Sequence, residues 1–277
     1  DDYGKKFITQ FNELDVNLDF LQLDNDSSTR VVNVDRDQFG DRFFSGFEES
    51  SHSCFADEVL SKKLIERKIS NLEKYFLKTK YMVTGTILLS SPISAETIFF
   101  LFEQGKKFEV KIVIDLNWRE VFWDNSSFSS EISQKERVNL IKNFLNYADV
   151  LKLAKEESTL FYESENPFLV SQQISKKIDV IITDGKNPVK WYINGLKGST
   201  ETPNSPKIVD TTGAGDAFLA GLISKYIFSG YPSNELDIEG CIKFASVCGL
   251  LTCLGEGAIE QQPNYEEVNK FLGTLIS

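Results

Sequence analysis

The densest chemical signal lies in one run, Asp210-Thr211-Thr212-Gly213-Ala214-Gly215-Asp216-Ala217-Phe218-Leu219-Ala220-Gly221. A β-type stretch, Lys207 to Val209, precedes it, and small and apolar residues at helical spacing follow, so the run predicts a strand–turn–helix junction. Gly213 and Gly215 leave the backbone uncovered and Ala214 is nearly as small. Their N–H groups can therefore converge on one anion, aided by the positive end of the helix dipole. Such a hole suits a phosphoryl group, whose charge must be stabilised while it moves. Asp216, in the first helical turn beside the hole, is a carboxylate placed to take a proton from an attacking hydroxyl. An aspartate there can also simply cap a helix. Two glycines, a spacer alanine and the aspartate together favour the catalytic reading.

The surrounding elements must place this run. Residues 4–14 set Phe7, Ile8, Phe11 and Leu14 at helical spacing, which predicts an amphipathic helix. Thr29 to Asp35 and Arg42 to Phe47 predict a β-hairpin around a polar, glycine-containing turn. From Ser61 onward, helical stretches alternate with short apolar strands. The strands are expected at Tyr81–Thr84, Lys111–Ile114, Val150–Leu153, Ile178–Ile182 and Val189–Ile193, with later helices from about Asp216, Leu236 and Tyr265. That alternation predicts an α/β fold with a mostly parallel sheet covered on both faces. Ligands bind at the carboxyl ends of such strands. Gly85, Asp115-Leu116-Asn117, Lys152, Thr183-Asp184-Gly185 and Asp210 are all expected there.

The run from Asp210 to Gly221 resembles, at every position, the C-terminal signature of the ribokinase/PfkB carbohydrate kinases. Other segments agree in order. Asp115 to Trp123 (D-L-N-W-R-E-V-F-W) resembles the D-x-N-x-R-x-x-x-W segment of fructokinase-like and ketodeoxygluconate kinase-like members. Val150 to Glu157 resembles their strand end "ADILKLSEEE", Ile182 to Gly185 their T-x-G nucleotide loop, and Phe244 to Ala258 the helix and turn flanking adenine. The resemblance covers essentially the whole chain. It implies a ribokinase-like three-layer α/β/α domain with a small β lid within residues 20–55 or so. It implies transfer of the γ-phosphoryl group of ATP to a hydroxyl of a sugar or sugar acid. Asp216 matches the family's catalytic base, and Gly213, Ala214 and Gly215 its anion hole. Thr183, Gly185, Gly215 and Gly257 match nucleotide contacts. Asn117, Arg119 and Arg42 match positions on the sugar side. Glu157 matches the acidic residue that helps hold Mg²⁺ through water. Asp210 and Thr212 match the surroundings of a monovalent cation such as K⁺, whose binding here the resemblance leaves open. Lids of this family often pair across a homodimer.

Some positions depart from the pattern. Ala154 stands where many relatives carry Asn or Ser, Pro188 where the nucleotide loop often has Gly, and Gly255-Glu256-Gly257-Ala258 is a variant adenine-side turn. Asp1-Asp2-Tyr3-Gly4 matches an internal G-D-D-x-x-G segment. Of a fragment and a shortened protein, the fragment is favoured, because a sheet without an inner strand would expose unpaired backbone, so the family's first strand and its sugar-anchoring Asp and Gly-Gly turn are expected upstream. The absence of those sugar-binding residues motivates a rival of another class, a kinase-like protein that binds or scaffolds without catalysis. A nucleoside kinase is a second rival, disfavoured by Asp115 to Trp123.

The bulk numbers agree with this reading. The chain has 277 residues, enough for one large α/β domain, and a net charge of −11. That charge argues against nucleic acid as the main partner, which needs a basic face. No apolar stretch is long enough for a membrane-spanning helix. Cys54, Cys241, Cys248 and Cys253 are expected as reduced, packed thiols, and His52 alone adds too little for a metal cage. Reduced thiols and the lack of a signal-like start predict the cytoplasm, or an organelle stroma if a transit peptide was removed.

Overall fold

Short apolar runs become the strands, and capped amphipathic runs become the helices. The computed structural model describes residues 1–36, 42–47, 54–124, 133–174, 176–203 and 208–275. Its elements begin with α1 (Asp2–Glu13), β1 (Val32–Arg36), β2 (Arg42–Phe47), α2 (Lys62–Glu66), α3 (Ile69–Phe76) and β3 (Tyr81–Thr84). They continue with α4 (Pro92–Lys107), β4 (Lys111–Asp115), α5 (Glu120–Asp124), α6 (Gln134–Leu145), β5 (Val150–Ala154), α7 (Lys155–Tyr162) and α8 (Pro167–Gln172). The rest are β6 (Asp179–Asp184), β7 (Asn187–Ile193), β8 (Leu196–Thr200), α9 (Ala214–Phe228), α10 (Glu235–Thr252) and α11 (Tyr265–Thr274). Strands β3 to β8 follow one another in sequence order in a six-stranded sheet, and β1 and β2 form a separate antiparallel ribbon.

Two compact units divide the chain, residues 1–112 with 118–147, and residues 113–117 with 148–277. In the first unit, Ser91 caps α4 by accepting the N–H of Ile93, with Pro92 at the first helical position, where its missing donor costs nothing. Ser133 and Glu136 close a capping box on α6. Phe99, Phe102, Phe144 and Tyr147 join these two helices through ring contacts at 5.1–5.9 Å. Arg30, largely buried, grips Asp57 with Nε at 3.1 Å and Nη2 at 2.9 Å and lies 4.1 Å from the ring centre of Phe55. The first helical stretch after Ser61 is two helices, α2 and α3, interrupted at Arg67 and Lys68.

In the second unit, β4, β5 and β6 run parallel. Ile114, Leu151, Leu153, Val180 and Ile181 are fully enclosed, the pattern of strands covered on both faces. The far edge turns antiparallel through β7 and β8. Strand β8 does not stand out in the sequence, because Leu196-Lys197-Gly198-Ser199-Thr200 has no clear alternation. Gly198 belongs there because any side chain would collide with the indole of Trp191, which donates its Nε1 proton to Thr200 Oγ1 at 2.9 Å. The β structure expected at Lys207 to Val209 is absent at Ile208 and Val209, and Lys207 lies outside the described residues. Val209 is held instead by a hydrogen bond from its N–H to Cys253 O at 2.8 Å.

Helices α9 and α10 pack against each other closely enough that small residues are required. A Cβ on Gly221 would meet Cys248 Sγ at 2.6 Å. All four cysteines are free thiols, and Cys241, Cys248 and Cys253 are buried. Burial pushes the Cys248 thiol up to about 11. Because its folded value exceeds its unfolded one, the neutral thiol's contribution to stability is complete below pH ~9 and is lost as pH rises through about 11. Urea unfolding across that range should show the wild type losing stability faster than Cys248→Ala. Equal slopes would refute this linkage. No helix among the described residues is long and apolar enough to cross a membrane.

Candidate functional site

The glycine-rich run begins with a pinned carboxylate. Asp210 Oδ1 accepts from Thr212 N at 2.9 Å and from Thr212 Oγ1 at 2.7 Å. Asp210 Oδ2 accepts from Gly257 N at 3.3 Å, which ties the run to the turn after α10. Asp210 N in turn reaches Cys253 O at 3.3 Å. Asp210 thus stitches together two loops that are 47 residues apart in sequence.

Gly213 is the pivot. It adopts φ +77°, the left-handed region, as the residue before α9. It is buried, and a Cβ there would lie 2.8 Å from the carbonyl oxygen of Ala258. Only glycine meets both conditions. The chain then turns into α9 with Ala214, Gly215 and Asp216 as its first three residues. N–H groups in a first turn have no intrahelical acceptor and can meet an incoming anion. Here Ala214 N makes a long hydrogen bond to Thr211 O at 3.3 Å, which an anion would have to replace. Gly249 of α10 seats this turn from behind, since a Cβ on it would meet Ala214 O at 2.9 Å. Asp216 is exposed on that same first turn.

The carboxyl ends of the parallel strands supply the rest of the unit's polar groups. Asp115 ends β4 and pairs in register with Lys152 of β5. Lys152 Nζ lies 2.7 Å from Asp115 Oδ2, and each side chain is less than a tenth exposed. Thr183 pairs in register with Ala154, and its Oγ1 donates to Leu153 O at 3.3 Å. Gly185 makes the turn from β6 to β7 with φ +54°. Asn117 is exposed, with φ +40°. Glu157 is buried, and its Oε2 accepts the N–H of Ala154 at 2.8 Å. It therefore completes the start of α7, a use for that carboxylate that the charged run Lys155-Glu156-Glu157 did not disclose.

Asp115, Asn117, Lys152, Glu157, Thr183, Gly185, Gly257 and the run from Asp210 to Asp216 all belong to the second unit. Arg42 and Arg119 belong to the first. Arg42 opens β2, and its side chain lies outside the described residues. Arg119 is half-buried and donates from Nη1 to Trp118 O at 2.7 Å. Trp118 packs 5.4 Å from Trp123, which is buried, so this tryptophan pair packs as expected of a core. From the sequence, Asp115 and Lys152 were each expected at the ligand-binding strand ends, but not as a pair and with no role assigned. The pair's signal was a lysine inside an otherwise apolar strand, V-L-K-L, which only a buried partner makes tolerable.

A model of the pfkB family of carbohydrate kinases matches residues 1–264. The fructokinase of Salmonella typhimurium is 25% identical over 275 residues, which span 98% of this chain and 82% of that protein. The probable fructokinase-7 of Arabidopsis thaliana is 26% identical, over 100% of this chain and 77% of that protein. Among solved structures, fructokinase from Vibrio cholerae O395 in its fructose-, ADP- and calcium-bound form is similar with a TM-score of 0.79. It is 25% identical, over 98% of this chain and 82% of that one. Fructokinase from Xylella fastidiosa with bound ATP has a TM-score of 0.82 at 20% identity, over 99% of this chain and 82% of that one. These likenesses show the fold expected from the sequence, the ribokinase-like α/β/α class.

Proposed function

The chain belongs to the pfkB family of carbohydrate kinases, and from that premise we propose that it phosphorylates a fructose-like sugar with Asp216 as base and residues 213–215 as anion hole. The reaction class is ATP-dependent transfer of a phosphoryl group to a sugar hydroxyl. The observation that carries the assignment to these residues is the fixed pivot at Gly213. One backbone conformation, enforced by φ +77° and by the Ala258 carbonyl, sets Asp216 on the first turn of α9 beside Gly215, while Ala214 N reaches Thr211 O at 3.3 Å.

In this reading the sugar hydroxyl loses its proton to Asp216 as its oxygen attacks the γ-phosphorus. The bond from that phosphorus to the β-phosphate oxygen breaks, and ADP leaves. N–H groups of residues 213–215 stabilise the spread charge on the moving group. Thr183, Gly185 and Gly257 line the nucleotide side, and Asn117, Arg119 and Arg42 serve the sugar. The two-stranded β1–β2 ribbon is the candidate lid and the candidate element for pairing two copies.

Among the described residues no cluster of three His, Cys, Asp or Glu side chains could cage a metal ion. That fits Mg²⁺ carried on the triphosphate, which keeps several waters and needs one or two carboxylates. Glu157 would meet it through water, since the carboxylate sits at a strand end while Oε2 is committed to Ala154 N. The ion would supply neutralisation of the triphosphate. Asp210 and Thr212 are the residues that would face a monovalent cation.

ATP consumption over a panel of hexoses, pentoses, sugar acids and nucleosides tests the proposal. Turnover should be greatest with fructose, at a kcat/KM at least ~10-fold above the sugar acids and nucleosides, a gap of ~1.4 kcal/mol. A nucleoside preferred over every sugar would overturn the substrate assignment.

A further inference from the structure

We propose that Lys152 is a catalytic residue that donates a hydrogen bond to the phosphoryl group in flight, with Asp115 as its positioning residue. The proposal rests on the preceding reading that residues 213–215 receive that group.

The placement is specific. Lys152 stands at the carboxyl end of a parallel strand, in register with Asp115 of the next one. Its side chain is 8% exposed and its Nζ is 2.7 Å from Asp115 Oδ2. The same Nζ lies directly beneath the start of α9, because a Cβ built on Gly215 would come within 2.9 Å of it. Gly215 is itself exposed. With only hydrogen atoms on its α-carbon, it leaves a window between the ammonium and the space above the helix N-terminus. Any larger residue would cover the cation.

Charge and valence then point the same way. An ammonium has three donors, and Asp115 takes one. A lysine binds a phosphate as a compact point charge, without the planar fork that arginine needs. A narrow window suits that geometry. Fold stability is a poor reason for such a pair, because a buried ion pair is often matched or bettered by apolar residues of similar volume. Held in place before the reaction, the ammonium needs no reorganisation when charge shifts onto the phosphoryl oxygens. Lys152 stays protonated throughout. The hydroxyl proton goes to Asp216, the new bond joins the sugar oxygen to phosphorus, and the old bond releases ADP.

Two variants test this: Lys152→Met, and Asp115→Asn with Lys152→Met, which leaves no unpaired buried carboxylate. Both are compared with wild type and Asp216→Asn. The measurements are kcat, ADP affinity, the gain in ADP affinity on adding aluminium fluoride as a phosphoryl mimic, and the unfolding midpoint. The expected result is a fall in kcat of about 100-fold or more in both lysine variants. ADP affinity alone should stay within about threefold of wild type, and the gain from aluminium fluoride should vanish. A purely structural pair would leave that gain intact in any variant that folds. A folded double variant with kcat within about threefold of wild type overturns the proposal. So does failure of the neutralised pair to fold, which would assign the pair to stability. If Asp216→Asn is silent while the double variant is active, only the lysine assignment falls. If Asp216→Asn turns over normally, the reading of the loop falls first and the lysine assignment falls with it.

Discussion

Asp216→Asn should lower kcat by about 10³-fold or more while leaving the protein folded and able to bind nucleotide. The substitution keeps the side chain's size and its ability to hydrogen-bond, and removes only the capacity to accept the hydroxyl proton. Asp216 is exposed, so no packing is lost. As the acidic residue in the first turn of α9 it also favours the helix dipole, an effect of about 0.3–1 kcal/mol for exposed groups. For a chain of 277 residues that amounts to roughly 2–4 °C in unfolding midpoint at most. ADP affinity should hold or rise slightly, since a carboxylate beside an anion site repels the phosphates. The informative quantity is the separation between the two effects, three orders of magnitude in rate against a few degrees in stability. A variant that retained a tenth of the wild-type kcat and lost many degrees would return Asp216 to a capping role.

That separation is visible because the chemistry sits on an element whose stability comes from elsewhere. The opposite face of α9 is buried through Ala217, Phe218, Leu219, Leu222 and Ile223, and α10 backs it. The first turn is therefore free to carry polar function. Both facts were legible in the sequence, where Asp210 to Gly221 combines turn glycines, an acid and a small-residue helix face. The bounds of the parallel strands were also legible, because runs such as I-V-I and V-L-K-L end close to where the structure ends them.

What the sequence did not show has a common cause. Pairings between distant residues leave no local pattern. Lys152 and Asp115 are 37 residues apart, and neither reads as a partner of the other until two strands lie in register. Asp210 reads as a turn residue, and its bond to Gly257 N appears only when the chain returns after α10. Glu157 sat in a charged run that resembles a solvated helix face, yet its carboxylate is turned inward onto Ala154 N. Strand β8 failed for a local reason, since a glycine under a tryptophan breaks the alternation by which strands are recognised.

Gly213→Ala should be far more damaging than the same change at another glycine with a similar backbone. Gly213 and Gly230 share the left-handed region, at φ +77° and +85°. An alanine at either site pays the intrinsic cost of that conformation, about 1–2 kcal/mol. The surroundings differ. A Cβ on Gly230 meets nothing within 4 Å, whereas one on Gly213 meets Ala258 O at 2.8 Å and Ala258 Cα at 3.0 Å. The obstacle is backbone, and it belongs to the turn that Asp210 holds through Gly257 N, so it cannot rotate aside as a side chain would. Gly213→Ala must therefore push the start of α9 away from that turn. A shift of a few tenths of an ångström moves the N–H groups of the anion hole and Asp216 together. Displacements of that kind, up to ~1 Å, can cost on the order of 10²-fold in rate. Urea unfolding should show Gly213→Ala losing roughly 1–3 kcal/mol more than Gly230→Ala, the range for forcing extra volume into a packed site. Its kcat should fall about 100-fold, while Gly230→Ala stays within about twofold of wild type. Equal losses of stability and rate in the two variants would mean that backbone strain alone is at work, and that the Ala258 carbonyl does not set the loop.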